Sequence, residues 1–121
     1  MTQKRLLLGI HSISMQDVIK QSAEREGYNV DKTMRPEEML EQSRKGEHDV
    51  YLMDLNLGYP GSENITPAIN VYDAVRKRVE KGEARFLGIS NTYDAVTRAK
   101  EKNIPCESSM SVNLIDFLGL P

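Results

Sequence analysis

Three short apolar runs stand out along this chain: Leu6 to Ile10, Val50 to Met53 and Phe86 to Ile89. Polar turn residues follow each one. A strand buried on both faces reads as a continuous apolar run rather than as an alternation, so these three predict the inner strands of a sheet. Weaker strands are predicted around Tyr28-Asn29-Val30, after Gly27, and around Ile104-Pro105-Cys106. Pro105 lacks a ladder donor, which places the latter at an edge.

Helical patterns fill the intervals. Ser14 with Asp17 has the character of a capping box, and Val18, Ile19 and Ala23 follow on one face, with Gly27 as the stop. Pro36-Glu37-Glu38 opens a second helix, with proline in the first turn and acids at the positive dipole end; Met39 and Leu40 form its inner face. Thr66-Pro67 opens the clearest helix, where Ala68, Val71, Tyr72, Val75 and Val79 make one stripe that ends at Gly82. A fourth helix starts at Asn91 or Thr92, with Ala95, Val96 and Ala99 inward. Ser111 starts a fifth, with Val112, Ile115 and Leu118 inward. Five βα units in succession predict a parallel sheet with right-handed crossovers and helices on both faces. The expected architecture is a flavodoxin-like (βα)5 fold, strand order 2-1-3-4-5, forming one domain over residues 1–121.

Composition narrows the function classes. The chain is 39% hydrophobic and 28% charged, the balance of a globular domain. A net charge of −2 with mixed signs, two Phe and no Trp argue against a nucleic-acid surface. The first apolar run is too short for a signal peptide or a membrane span, so a cytoplasmic protein without membrane contact is expected. A single cysteine, Cys106, excludes an intrachain disulfide and a cysteine metal cluster, and is read as a core residue. No glycine-rich phosphate loop occurs.

Candidate chemistry centres on Asp54. It ends the apolar run Val50-Tyr51-Leu52-Met53 and opens the turn Leu55-Asn56-Leu57-Gly58-Tyr59-Pro60-Gly61. Open α/β sheets bind ligands in the crevice at the carboxyl ends of their strands, which is where this carboxylate would lie. The plain alternative is an aspartate that accepts backbone N–H groups in its own turn. His11, at the end of the first run, is either bonded to a nearby carbonyl or is a neutral or protonated partner of Asp54 that would make the site pH-sensitive.

The segment Tyr51-Leu52-Met53-Asp54-Leu55-Asn56-Leu57, followed by Gly58 and Pro60-Gly61, resembles the phospho-acceptor segment of response-regulator receiver domains of two-component signalling. By pattern the resemblance extends over nearly the whole chain. It implies phosphoryl acceptance at Asp54 from a histidine kinase, with Mg²⁺ held by an acidic pair, Asp54 and the carbonyl of Asn56. It also implies a hydroxyl after the fourth strand, which Ser90 supplies next to Asn91, although Ser90 could equally cap the fourth helix. The acidic pair falls on Ile10-His11, favoured by counting back from Gly27, or on His11-Ser12 if the register slips by one, and the expected lysine falls on Met110, so both are missing. The stretch from Asp54 to Ser90 is also longer than the family's, with the extra residues in Gly58 to Ile65; they would cover the crevice or form a tolerated insertion.

The resulting expectation is an atypical receiver that is not an enzyme beyond, at most, phosphoryl acceptance at Asp54. Its pocket comprises His11, Asn56, Ser90, Asn91 and Met110. No metal or other cofactor is expected, Mg²⁺ on Asp54 and Asn56 entering only if Asp54 is a working phospho-acceptor. Its partner would be a signalling protein or histidine kinase. Residues 92–120, including Phe117, Leu118 and Leu120, would either finish the core or meet a second copy or an attached output domain. Two alternatives stay open: a functional phospho-acceptor, and a small-molecule binder. The latter rests on a likeness of Gly9-Ile10-His11 to the ligand histidine of cobalamin-binding domains, without that motif's flanking Asp and Gly.

Overall fold

Strands and helices alternate throughout the residues described in the computed structural model, 3–109 and 117–118. The order is β1 (Arg5–Gly9), α1 (Ile13–Arg25), β2 (Asn29–Thr33), α2 (Pro36–Arg44), β3 (Val50–Asp54), α3 (Thr66–Glu80), β4 (Arg85–Ser90), α4 (Tyr93–Glu101) and β5 (Cys106–Ser108). All neighbouring strands pair in parallel, in the order β2-β1-β3-β4-β5. This is the expected flavodoxin-like arrangement. The three apolar runs become β1, β3 and β4, the inner strands, and the two weaker segments become the edges.

Alternation along these strands divides the interior in two. Leu7, Tyr51, Met53 and Phe86 face α2, α3 and α4, meeting Met39, Val71, Val75 and Ala95. Leu6, Leu8, Leu52 and Ile89 point the other way, against Ile19 and Ala23 of α1 and against Leu118. The register Leu7↔Tyr51↔Phe86 puts one large side chain from each inner strand in a row on the first face. Burying one such side chain contributes roughly 1.5–3 kcal/mol, so the two faces together are the main source of stability.

Several local expectations change. The cap of α1 is Ser12, whose Oγ accepts from Met15 N–H at 3.3 Å, and not Ser14. Val18 is 64% exposed rather than buried; the inner face of α1 is Gln16, Ile19 and Ala23. Ile10 lies just beyond β1 yet is fully buried. The last strand begins at Cys106 instead of Ile104, because Pro105 contributes only its carbonyl, which accepts from Gly88 N–H at 2.9 Å. Leu40 and Val79 are only partly buried. In the expected fifth helix, Leu118 is buried and takes a hydrogen bond on its carbonyl from the Tyr28 hydroxyl at 2.5 Å, so it completes the core. Phe117 lies under the Arg85 guanidinium, 4.7 Å from the ring centre. Ser111, Val112, Ile115 and Leu120 lie outside the described residues.

One glycine explains a strand-level detail. A Cβ on Gly88 would lie 2.3 Å from Leu55 Cδ2, so Leu55 folds back across β4 only because position 88 has no side chain. Leu55 is fully buried there, and its N–H donates to Ile89 O at 2.8 Å. The chain just past Asp54 is thereby fastened to β4.

Candidate functional site

The carboxyl ends of β1, β3 and β4 open into a crevice of about 200 Å³. Its walls include His11, Asp54, Asn56, Ser90 and Asn91, five residues expected there, together with Pro60, Gly61 and Ser109. Met110 lies outside the described residues. Ser109 was not anticipated. It reaches the crevice because its N–H donates to Ser90 O at 2.9 Å, extending the β4–β5 ladder, in which Ser90 and Ser108 are partners. The only sequence signal for it was register, which the offset of β5 concealed.

Asp54 is held from the segment just after β1. Its Oδ2 accepts the backbone N–H of His11 at 2.7 Å, across the β1–β3 pair. The His11 ring stands over the same oxygen, Nε2 to Oδ2 at 3.6 Å, and its Nε2 is 3.4 Å from Asn56 Oδ1. On the other side of the ring, Gly58 N–H donates to Nδ1 at 3.4 Å. A ring nitrogen that accepts is unprotonated, so the neutral ring carries its proton on Nε2, facing Asn56 and Asp54. His11 thus lies within reach of the Asn56 side-chain carbonyl oxygen and beside the Asp54 carboxylate. The Asp54 side chain is 13% exposed. Burial pushes its pKa above the ordinary carboxylate value, against the lowering effects of the His11 N–H and the nearby ring.

The turn after Asp54 is tied down by Asn56. This side chain is buried, and its Nδ2 donates to Tyr59 O at 3.1 Å and Ser62 O at 2.8 Å. Its backbone carbonyl accepts Tyr59 N–H at 2.8 Å. Ser62 Oγ then accepts Asn64 N–H, and Asn64 Oδ1 accepts Thr66 N–H, each at 3.0 Å, which leads the chain into α3. Gly58 has φ of +87°, and a Cβ there would meet the Pro36 ring at 2.8 Å. The long turn is thus a built structure seated on the start of α2, and Pro60 and Gly61 form part of the crevice wall.

Ser90 is buried, and its Oγ accepts Thr92 N–H at 3.0 Å at the entry to α4. It serves the helix start while lining the crevice. Cys106 is buried with Sγ toward Val96 O at 3.6 Å, and burial raises its thiol pKa, which makes it an inert core thiol. Among the described residues no group of three or more His, Cys, Asp or Glu side chains converges as metal ligands, and no helix is long and apolar enough to cross a membrane.

No protein-family model matches the chain, and no curated protein matches it. Solved structures do. A response regulator from Burkholderia pseudomallei, with a phosphorylated aspartic acid, calcium ion and citrate, aligns with TM-score 0.72 at 17% identity over 96% of this chain. This chain spans 65% of that protein's length. The chemotaxis protein CheY4 of Vibrio cholerae aligns with TM-score 0.64 at 17% identity, over 98% of both chains. The response regulator TrrA of Thermotoga maritima, in complex with Mg²⁺ and BeF, aligns with TM-score 0.67 at 20% identity over 93% of this chain and 91% of its own. With the strand order and the placement of Asp54 already established, these likenesses show that the chain has the fold of response-regulator receiver domains.

Proposed function

We propose that this chain is a receiver-like signalling domain that works through contact with a protein partner, without Mg²⁺-dependent phosphorylation of Asp54. The occupation of Asp54 Oδ2 carries this reading: the oxygen is bonded to His11 N–H at 2.7 Å and flanked by the His11 ring. Where the receiver resemblance asks for two metal-binding acids, the chain has Ile10, fully buried, and His11. Mg²⁺ wants six oxygens in near-octahedral geometry, usually including carboxylates. Among the described residues, the crevice walls offer one carboxylate, a backbone carbonyl at Asn56 already bonded to Tyr59 N–H, and an imidazole better suited to softer metals. These donors do not fit Mg²⁺, and phosphoryl transfer relies on such a cation to neutralise developing charge.

The partner is expected to be a signalling protein, such as a kinase, an attached output domain or a second copy, engaging residues within 92–120. Localisation in the cytoplasm and a single domain over 1–121 belong to the same reading.

The test is exposure of the protein to Mg²⁺ with acetyl phosphate, and separately with beryllofluoride. Mass spectrometry should find no phosphoryl adduct at Asp54, and amide NMR should show no Mg²⁺-saturable shifts at residues 54–56. An adduct on Asp54, or saturation at sub-millimolar Mg²⁺, would instead establish the phospho-acceptor function.

A further inference from the structure

Gln16 is a polar side chain on the buried face of α1, only 3% exposed. Its Nε2 donates to Thr33 O at 3.1 Å and, over a longer 3.4 Å, to Ile10 O. Those carbonyls lie at the carboxyl ends of β2 and β1, where the ladder has run out. Buried carbonyls without a partner are costly, and one amide group serves both.

The Ile10 carbonyl belongs to the same peptide unit as the His11 N–H. That unit is planar and rigid. Gln16 holds one end of it, and Asp54 Oδ2 is bonded to the other at 2.7 Å. The direction in which His11 N–H points is therefore set by what its carbonyl is bonded to. Polarisation acts in the same sense, since a donor on the carbonyl strengthens the N–H as a donor.

The chain of contacts closes on itself. Thr33 Oγ1 accepts Arg35 N–H at 3.1 Å at the entry to α2. Pro36 packs against Gly58, whose N–H donates to His11 Nδ1. Gln16 is thus the side chain that joins β2 to β1 within a ring of contacts passing through His11 to Asp54.

We infer that Gln16 is the positioning residue of the crevice, fixing the Ile10–His11 peptide so that His11 N–H is aimed at the Asp54 carboxylate and linking that bond to the β2–α2 turn. The inference is independent of whether Asp54 is ever phosphorylated.

The experiment is amide NMR on the full chain carrying Gln16→Met, which keeps the length and bulk of the side chain but removes its donors. The His11 amide proton should move upfield and exchange with solvent at least about tenfold faster than in the wild type. Amides inside β1 and β3, such as Leu7 and Leu52, should hold their rates relative to global stability. Ile19→Val, a cavity on the same face of α1, should leave the His11 amide shift in place. Asp54→Ala should shift the His11 amide in the same direction, and adding Gln16→Met to it should change little more. A folded Gln16→Met protein with an unmoved His11 amide would overturn the inference. If that variant does not fold, the wild type decides: Gln16 side-chain amide protons protected from exchange support it, and exchange at the rate of a free primary amide overturns it.

Discussion

The packing of Leu55 over Gly88 yields a quantitative expectation. A methyl group added by Gly88→Ala would sit 2.3 Å from Leu55 Cδ2 and 3.1 Å from its Cγ, with Phe86 Cε1 at 3.6 Å behind it. Carbon atoms in contact prefer about 3.5–4.0 Å, so the nearest pair overlaps by more than 1 Å by that measure. Leu55 is fully buried, which leaves its side chain little room to rotate away, and its main chain is fixed by the N–H donated to Ile89 O. Overpacking of this kind costs about 1–3 kcal/mol, which for a domain of this size lowers the melting temperature by roughly 4–12 °C. Leu55→Ala alone should cost about 2–5 kcal/mol through the cavity it leaves. The double variant removes the atoms that collide and partly fills that cavity, so its loss should fall short of the sum by about 1–3 kcal/mol. Denaturant unfolding of the four proteins in a double-mutant cycle measures that coupling. Because Leu55 is the residue after Asp54, Gly88→Ala should also disturb the His11 amide resonance. Additive losses, or a Gly88→Ala protein within about 0.5 kcal/mol of the wild type, would refute the packing argument.

Two carboxylates predict opposite pH behaviour. Asp54, its pKa raised by burial, contributes stability below the unfolded carboxylate pKa that is lost as pH rises through its higher folded value. Asp54→Asn should therefore melt higher than the wild type at pH 7, with the gain fading toward pH 4; a lower melting temperature at pH 7 would count against the burial argument. Asp31 is the reverse case: its Oδ2 is 2.7 Å from His48 Nε2 and 3.0 Å from Arg5, and those hydrogen bonds, His48's foremost, lower its pKa. Its stabilisation is present above the unfolded pKa and lost as pH falls through the depressed folded value. Asp31→Asn should destabilise at pH 7 by less than about 1 kcal/mol, because the side chain is 45% exposed, and the two melting curves should converge in acid.

The architecture was legible because three strands are buried on both faces and must be apolar throughout, and because the stripe from Ala68 to Val75 fits only a helical period. What escaped was set by pairings that leave no periodic trace. Val18 looks like a core residue, yet the core position belongs to Gln16, since two strand-end carbonyls needed a donor there. Ser12 and Ser14 are equally good caps by composition, and only the backbone at Ser12 decides between them. In the site, chain position sufficed to bring His11, Asn56, Ser90 and Asn91 around Asp54. The sequence offered no sign that His11 would approach Asp54 through its main chain, nor that the Asn56 carbonyl would be engaged by Tyr59.

The sheet that separates the two apolar clusters also lets each be repacked without the other. Leu7, Tyr51 and Met53 answer to α2, α3 and α4, while Leu6, Leu8 and Leu52 answer to α1 and Leu118. Cores accept hydrophobic exchange when volume and pattern are kept, and here a change on one side asks for compensation only on that side. Drift can proceed in two compartments, each repairing itself, while the strand alternation that keeps them apart stays in place. A fold built this way retains its shape when 17% to 20% of its residues coincide with those of a structural neighbour.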